Sequence, residues 1–166
     1  MLLRPESRGT IKLRSKNPFH KPIIDPNYLS DPGDQDVKTL VAGAKIGIQL
    51  GRASVFNHIG ARLYTVPMPG CERYTNFESD EYLECLARHY TVTIYHPVGT
   101  AKMGPAGDPT SVVDSQLRVH GIRGLRVIDA SIMPTIVSGN TNAPVIMIGE
   151  KGADLIKEFW AKKRKR

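Results

Sequence analysis

The chain has 166 residues, the size of one domain, and 40% of them are hydrophobic, which excludes a disordered chain. Its net charge of +7 sits mostly at the end, where Lys162, Lys163, Arg164, Lys165 and Arg166 supply +5 and leave the rest near +2. Such a terminal run reads as a solvated tail over residues 161–166, and no aromatic RNA-binding signature accompanies it, so a nucleic-acid partner is disfavoured.

The opening residues, Met1 to Ser7, hold no apolar run of signal-peptide length. Nowhere is there a stretch long and apolar enough for a transmembrane helix. Ser7-Arg8-Gly9 reads as a turn, and the alternation from Thr10 to Ser15 predicts a strand with one wet face. That strand needs pairing partners, so the chain is expected to begin inside a domain. Pro18, Pro22, Pro26 and Pro32 then predict an extended, irregular stretch. Asp34 or Asp36 is expected to cap a helix that buries Val37, Leu40, Val41, Ala44 and Ile48 and ends near Gly51.

Pro67, Pro69 and Gly70 break the segment from Thr65 to Tyr74. Ser79 followed by Asp80 and Glu81 predicts a helix start, because acidic side chains suit the positive end of the helix dipole. Tyr82, Leu83, Leu86 and Tyr90 are its expected buried face. Thr91 to Tyr95 reads as a strand delivering His96. Leu117 to His120 and Leu125 to Ile128 read as short strands, separated by Gly121 and Gly124. Pro144 fits the first turn of a last helix, which runs through Val145, Ile148, Leu155 and Ile156 towards Trp160. Strands and helices do not alternate strictly, so the expected class is α+β.

Two cysteines, Cys71 and Cys85, form no metal motif, since no second pair or suitably spaced histidines follow. A disulfide and a pair of reduced, partly buried thiols both remain open readings. His20, His58, His89 and His120 read as surface or structural residues.

His96 is the sharpest functional candidate. Oxidising an alcohol by hydride transfer requires removal of the hydroxyl proton, and a histidine can accept it near neutral pH. Asn140 can hydrogen-bond the same oxygen without competing for its proton. Asn140-Thr141-Asn142-Ala143-Pro144 opens the last helix, whose unpaired N–H groups stabilise negative charge. Asp129 ends a hydrophobic strand and precedes the small residues Ala130 and Ser131. Taken singly, each feature reads as an ordinary cap or structural histidine. Their joint occurrence within about fifty residues favours chemistry.

Three runs carry a resemblance to a known family: His96-Pro97-Val98-Gly99-Thr100-Ala101-Lys102-Met103-Gly104, Gly124 to Ser131, and Ser138-Gly139-Asn140-Thr141-Asn142-Ala143-Pro144. They resemble the C-terminal region of glucose–methanol–choline oxidoreductases, most closely the insect glucose dehydrogenase branch. Leu3 to Gly9 and Ile24-Asp25-Pro26-Asn27-Tyr28 resemble the same family. The resemblance implies FAD-dependent oxidation of an alcohol or sugar, with a quinone or other electron acceptor. It implies His96 as base and Asn140 as the second catalytic position. Asp129 and Ala130 correspond to positions near the FAD diphosphate and ribityl chain. Thr141, Asn142 and Ala143 correspond to the turn facing the flavin pyrimidine edge.

The implied fold over residues 1–160 is part of an antiparallel-sheet substrate domain, residues 1–95, then the return of a Rossmann-like FAD domain, residues 96–160. The family's Gly-x-Gly-x-x-Gly run does not occur in the sequence, and Gly43 to Gly47 has the wrong spacing. The chain is therefore expected to be the C-terminal part of a longer enzyme, to bind FAD weakly alone and to be poorly soluble. The alternative is a non-catalytic remnant or interaction protein that has lost the diphosphate-binding half. Insect relatives are often secreted, which would allow a Cys71–Cys85 bridge; an extracellular location follows if a preceding segment carries a signal peptide.

Overall fold

The computed structural model describes residues 1–164. The chain forms two compact units, Met1–Val92 and a second from Thr93 onward. Both mix short extended pieces with helices, so the class is α+β.

In the first unit, β1 (Thr10–Lys12) pairs antiparallel with β2 (Ile23–Asp25), with Ile11 opposite Ile24. β1 is shorter than its sequence pattern implies, and both its faces are exposed. β2 lies inside the proline-rich stretch, where Pro22 and Pro26 flank it without interrupting its three residues. An isolated two-stranded hairpin is marginal by itself. This one is anchored at its base. Asn27, in the left-handed region at φ 50°, donates from its side-chain amide to the Arg8 carbonyl at 2.9 Å. Gly9 has no room for a side chain, because a Cβ there would stand 2.3 Å from the Asp25 carbonyl oxygen. The two N-terminal segments that carry the family resemblance therefore meet here.

α1 (Gln35–Gly51) buries Asp36, Val37 and Val41, with Leu40 and Ile48 packed beside them, while Ala44 is exposed. Its cap differs from expectation. Asp34 is left-handed and makes no capping bond. Asp31 supplies the cap, its carboxylate accepting from the Gln35 N–H at 2.5 Å and the Asp36 N–H at 3.3 Å. The left-handed bend at Asp34 lets a carboxylate four residues back reach the helix start, which a fixed cap spacing does not anticipate. Asp36 has a different role. Buried at 2% exposure, it turns back to accept the Glu6 N–H at 2.8 Å and the Ser7 N–H at 2.9 Å.

A short helix, α2 (Ser54–Asn57), follows. α3 (Asp80–Tyr90) starts as expected, with the Ser79 hydroxyl accepting the Tyr82 N–H at 3.2 Å. Tyr82, Leu83 and Cys85 form its buried face against α1. Tyr90 is exposed, and its hydroxyl donates to the Pro69 carbonyl at 2.9 Å. Cys71 and Cys85 are joined by a disulfide, which resolves the open reading of the cysteines. It ties the broken segment before α3 to that helix.

The second unit corrects three expected strands. Thr91 to Tyr95 is not a strand, because Ile94 and Tyr95 both have positive φ, 48° and 67°. For a β-branched residue such as Ile94 this is an outlier conformation. The Thr93 hydroxyl accepts the His96 N–H at 3.3 Å and turns the chain there. Leu117–His120 and Leu125–Ile128 contribute only isolated bridges, Val113 with Val119 and Arg118 with Arg126. Leu117 is left-handed at φ 61°, and the Asp114 carboxylate accepts the Gln116 and Arg118 N–H groups around that turn. Turn chemistry overrides the alternation.

α4 (Asn142–Arg164) closes the unit with Ile148, Gly152 and Leu155 on its buried side. Ile148 and Leu155 pack with Val113, Leu117, Ile132 and Met133. Gly152 is where the helix meets Ile128, and a Cβ there would lie 2.4 Å from the Ile128 Cγ2. Gly152→Ala is expected to destabilise this unit by about 1–3 kcal/mol through overpacking, despite alanine's better helix propensity. Chemical denaturation of the two proteins checks it. Lys162, Lys163 and Arg164, expected in a solvated tail, form the last turn of α4, where cations suit the helix dipole. Lys165 and Arg166 lie outside the described residues. No helix among the described residues is long and apolar enough to cross a membrane.

Candidate functional site

The three sequence runs of interest fall within the second unit; backbone bonds join the first two, and a side-chain bond ties the third to His96. The Ala101 N–H donates to the Ser131 carbonyl at 2.9 Å, and the Met103 N–H to the Ile132 carbonyl at 2.8 Å. This ladder lays the loop after His96 along a 3-10 turn at Ala130–Ile132. Gly99 permits the approach: φ is +90°, and a Cβ would stand 3.3 Å from the Met133 carbonyl oxygen. Further along, Lys102 pairs with Asp108 at 2.9 Å. The Thr110 hydroxyl, with the Lys102 ammonium, holds the Asp108 carboxyl down at about 2. The loop is thereby closed on itself. The His120 ring meets the Gly104 carbonyl at 3.2 Å, a structural role.

His96 is half-buried, and its Nδ1 lies 2.7 Å from the Thr141 hydroxyl. Thr141 is itself buried, and its carbonyl accepts the Val145 N–H in the first turn of α4. The imidazole is therefore oriented by the start of the helix. When Nδ1 carries the proton and donates to Thr141, Nε2 keeps a free lone pair. Sequence reasoning gave Thr141 to the cofactor and overlooked its bond to His96. A contact between residues 45 apart leaves no local trace.

Asn140 is exposed, and its Oδ1 accepts the Asn142 N–H at 2.8 Å. With the oxygen committed to the cap, the side-chain NH2 is the group Asn140 can offer, and it is a pure donor. Asn142 and Ala143 are exposed at the helix opening. The Asn142 N–H is taken by Asn140, so Ala143 presents the first N–H that the helix geometry leaves unpaired. Asp129 is exposed as well; one oxygen accepts the Ser131 N–H at 2.7 Å and caps the 3-10 turn. Its other oxygen remains an acceptor. Ala130 begins that turn and is partly buried.

Residues 5–149 match the family described as GMC oxidoreductase. The chain belongs to the GMC oxidoreductase family. It is 51% identical over 162 residues to glucose dehydrogenase [FAD, quinone] of Drosophila melanogaster, a match covering 98% of this chain and 25% of that protein. It is 50% identical over 155 residues to alcohol dehydrogenase [acceptor] of Pseudomonas putida, covering 93% of this chain and 26% of that protein. Among solved structures, an FAD-dependent oxidoreductase from Chaetomium thermophilum superposes with a TM-score of 0.82 at 30% identity. That match covers 96% of this chain and 26% of the other. The chain thus spans about a quarter of the length of these GMC relatives.

Proposed function

We propose that this chain supplies the proton-handling end of an FAD-dependent oxidoreductase that oxidises an alcohol or sugar CH–OH group. The observation that carries the reading is the His96–Thr141 bond, which holds an imidazole beside the opening of α4. Residues 1–95 act as a portion of the substrate domain and 96–160 as the return of the FAD domain.

The residues suit the cofactor. Ala143 offers a backbone donor at a positive helix end, appropriate to an electron-rich flavin edge. The second Asp129 oxygen is an acceptor, which suits ribityl hydroxyls better than a diphosphate. Ala130 brings a small side chain where a ligand must approach the backbone. When bound, FAD supplies the hydride acceptor.

The chain's own part is to move a proton. In the tautomer that carries its proton on Nδ1, His96 Nε2 accepts the substrate hydroxyl proton, while the bond between Nδ1 and Thr141 fixes the ring direction. The Asn140 NH2 donates to the same substrate oxygen and stabilises its growing negative charge. A quinone or other acceptor removes the electrons afterwards.

The test is alcohol- or sugar-dependent dye reduction by the flavin-loaded protein that contains these residues. Thr141→Val keeps the shape but removes the hydroxyl. It is expected to lower kcat about tenfold or more with flavin content unchanged, since small misplacements of a catalytic group are costly. Unchanged turnover would remove Thr141 from the proposal.

A further inference from the structure

A second cluster of reactive side chains lies in the first unit. α3 carries Cys85 and His89 four residues apart, a spacing that puts both on one helical face. Cys71 reaches the same point from the preceding segment, and both cysteines are buried while His89 is exposed. The His89 Nδ1 lies 3.7 Å from the Cys85 Sγ and 3.9 Å from the Cys71 Sγ. The ligand atoms of all three residues fall within 4.8 Å of one another. Gly70 leaves room for the ring, because a Cβ there would meet the His89 side chain at 2.9 Å.

We infer that these three residues form a site for a thiophilic divalent cation, zinc above all, whenever the Cys71–Cys85 disulfide is reduced. Two ligands on a tetrahedral zinc, one sulfur at about 2.3 Å and one nitrogen at about 2.0–2.1 Å, stand about 3.6 Å apart. Both sulfur–nitrogen separations here are already close to that value. Only the two sulfurs must part, and cleavage of their bond allows it.

The chemistry balances. A dithiol reductant gives up two electrons and two protons and becomes a disulfide, and the Cys71–Cys85 bond becomes two thiols. Zinc binding then releases both thiol protons to solvent and takes two thiolates and one neutral imidazole. The fourth position is left to water on the exposed His89 side.

His89 needs one adjustment. Its Nδ1 now lies 2.9 Å from the Cys85 carbonyl, which it serves as a donor. Ligation through Nδ1 shifts the ring proton to Nε2. The carbonyl keeps its helical partner, so nothing buried is orphaned. The disulfide and the metal exclude each other, yet both staple the same segment to α3. The junction is held in oxidising and in reducing surroundings alike.

The test is a titration of the full chain with cobalt(II), a spectroscopic stand-in for zinc, without oxygen. A trialkylphosphine reduces the disulfide and becomes its oxide, with water giving the oxygen and both protons. The reduced chain is expected to develop a thiolate-to-cobalt charge-transfer band that saturates at one metal per chain and is erased by zinc. The oxidised chain should show no band. His89→Gln leaves the cysteines intact and should weaken cobalt binding by at least the roughly tenfold that even an outer-shell partner is worth. No band on reduction would overturn the inference. So would an affinity that His89→Gln leaves unchanged, or one that the reduced chain retains in guanidinium, because either marks binding by two loose thiols.

Discussion

Replacing His96 with alanine in the flavin-loaded protein is expected to lower kcat by about 10²–10⁴-fold, the usual worth of a positioned general base. Flavin content should not change, because His96 spends its bond on Thr141. His96→Gln sharpens the test. Glutamine can still donate to Thr141 and fill the half-buried space, but it cannot accept the substrate's proton at pH 7. Both substitutions are therefore expected to fail in turnover. Asn140→Ala is expected to be milder on chemistry and worse for the helix, since its Oδ1 also caps Asn142. Steady-state dye reduction read beside flavin absorbance separates these outcomes.

The largest stability effect is expected at Asp36. This carboxylate is buried. It is held by the backbone N–H groups of Glu6 and Ser7. Asp36→Ala strands those two donors, and hydrogen bonds to a charged group contribute about 1.5–3 kcal/mol each, so a loss of about 3–6 kcal/mol is expected. Asp36→Asn keeps one acceptor oxygen and should lose about half as much. Denaturant unfolding of the three proteins gives the comparison.

Asp36 also predicts a pH dependence. Burial alone would raise its pKa, but the Ser7 hydroxyl, the Glu6 and Ser7 N–H groups and nearby Arg8 outweigh burial, and the net shift is downward from 3.8. A carboxyl whose folded pKa is lowered stabilises the fold above its unfolded value. That contribution falls away as pH drops through the folded value. Wild-type stability should thus hold to about pH 4 and decline below it, and Asp36→Asn should flatten that decline.

What was legible in the sequence follows the reach of each interaction. α3 was legible because Ser79, Asp80 and Glu81 act within one turn. α4 was legible because Pro144 and the apolar spacing are local too. The α1 cap was misplaced because Asp34 adopts a left-handed backbone and hands capping to Asp31. β2 was hidden by the prolines on either side of it and by a partner more than ten residues away. The strand expected before His96 fails because Thr93, Ile94 and Tyr95 make a turn that hydropathy does not encode.

The site residues were nameable from their runs, but their wiring was not. That Thr141 serves His96, and that Ser131 and Ile132 receive the loop after it, depends on contacts of about 30 to 45 residues' separation. His89 is the clearest omission. Its four-residue offset from Cys85 is visible in the sequence, but Cys71 joins the two only through a fold contact across 14 residues.

The most direct measurement of the central claim is anaerobic rapid mixing of the flavin-loaded protein that contains these residues with glucose and with simple alcohols. Loss of oxidised-flavin absorbance would be followed in the wild type and in His96→Gln. The account predicts bleaching by at least one of these substrates in the wild type, slowed about 10²-fold or more in the variant at equal flavin content. Equal rates in the two proteins, or no bleaching of the wild type by any alcohol or sugar, would contradict it.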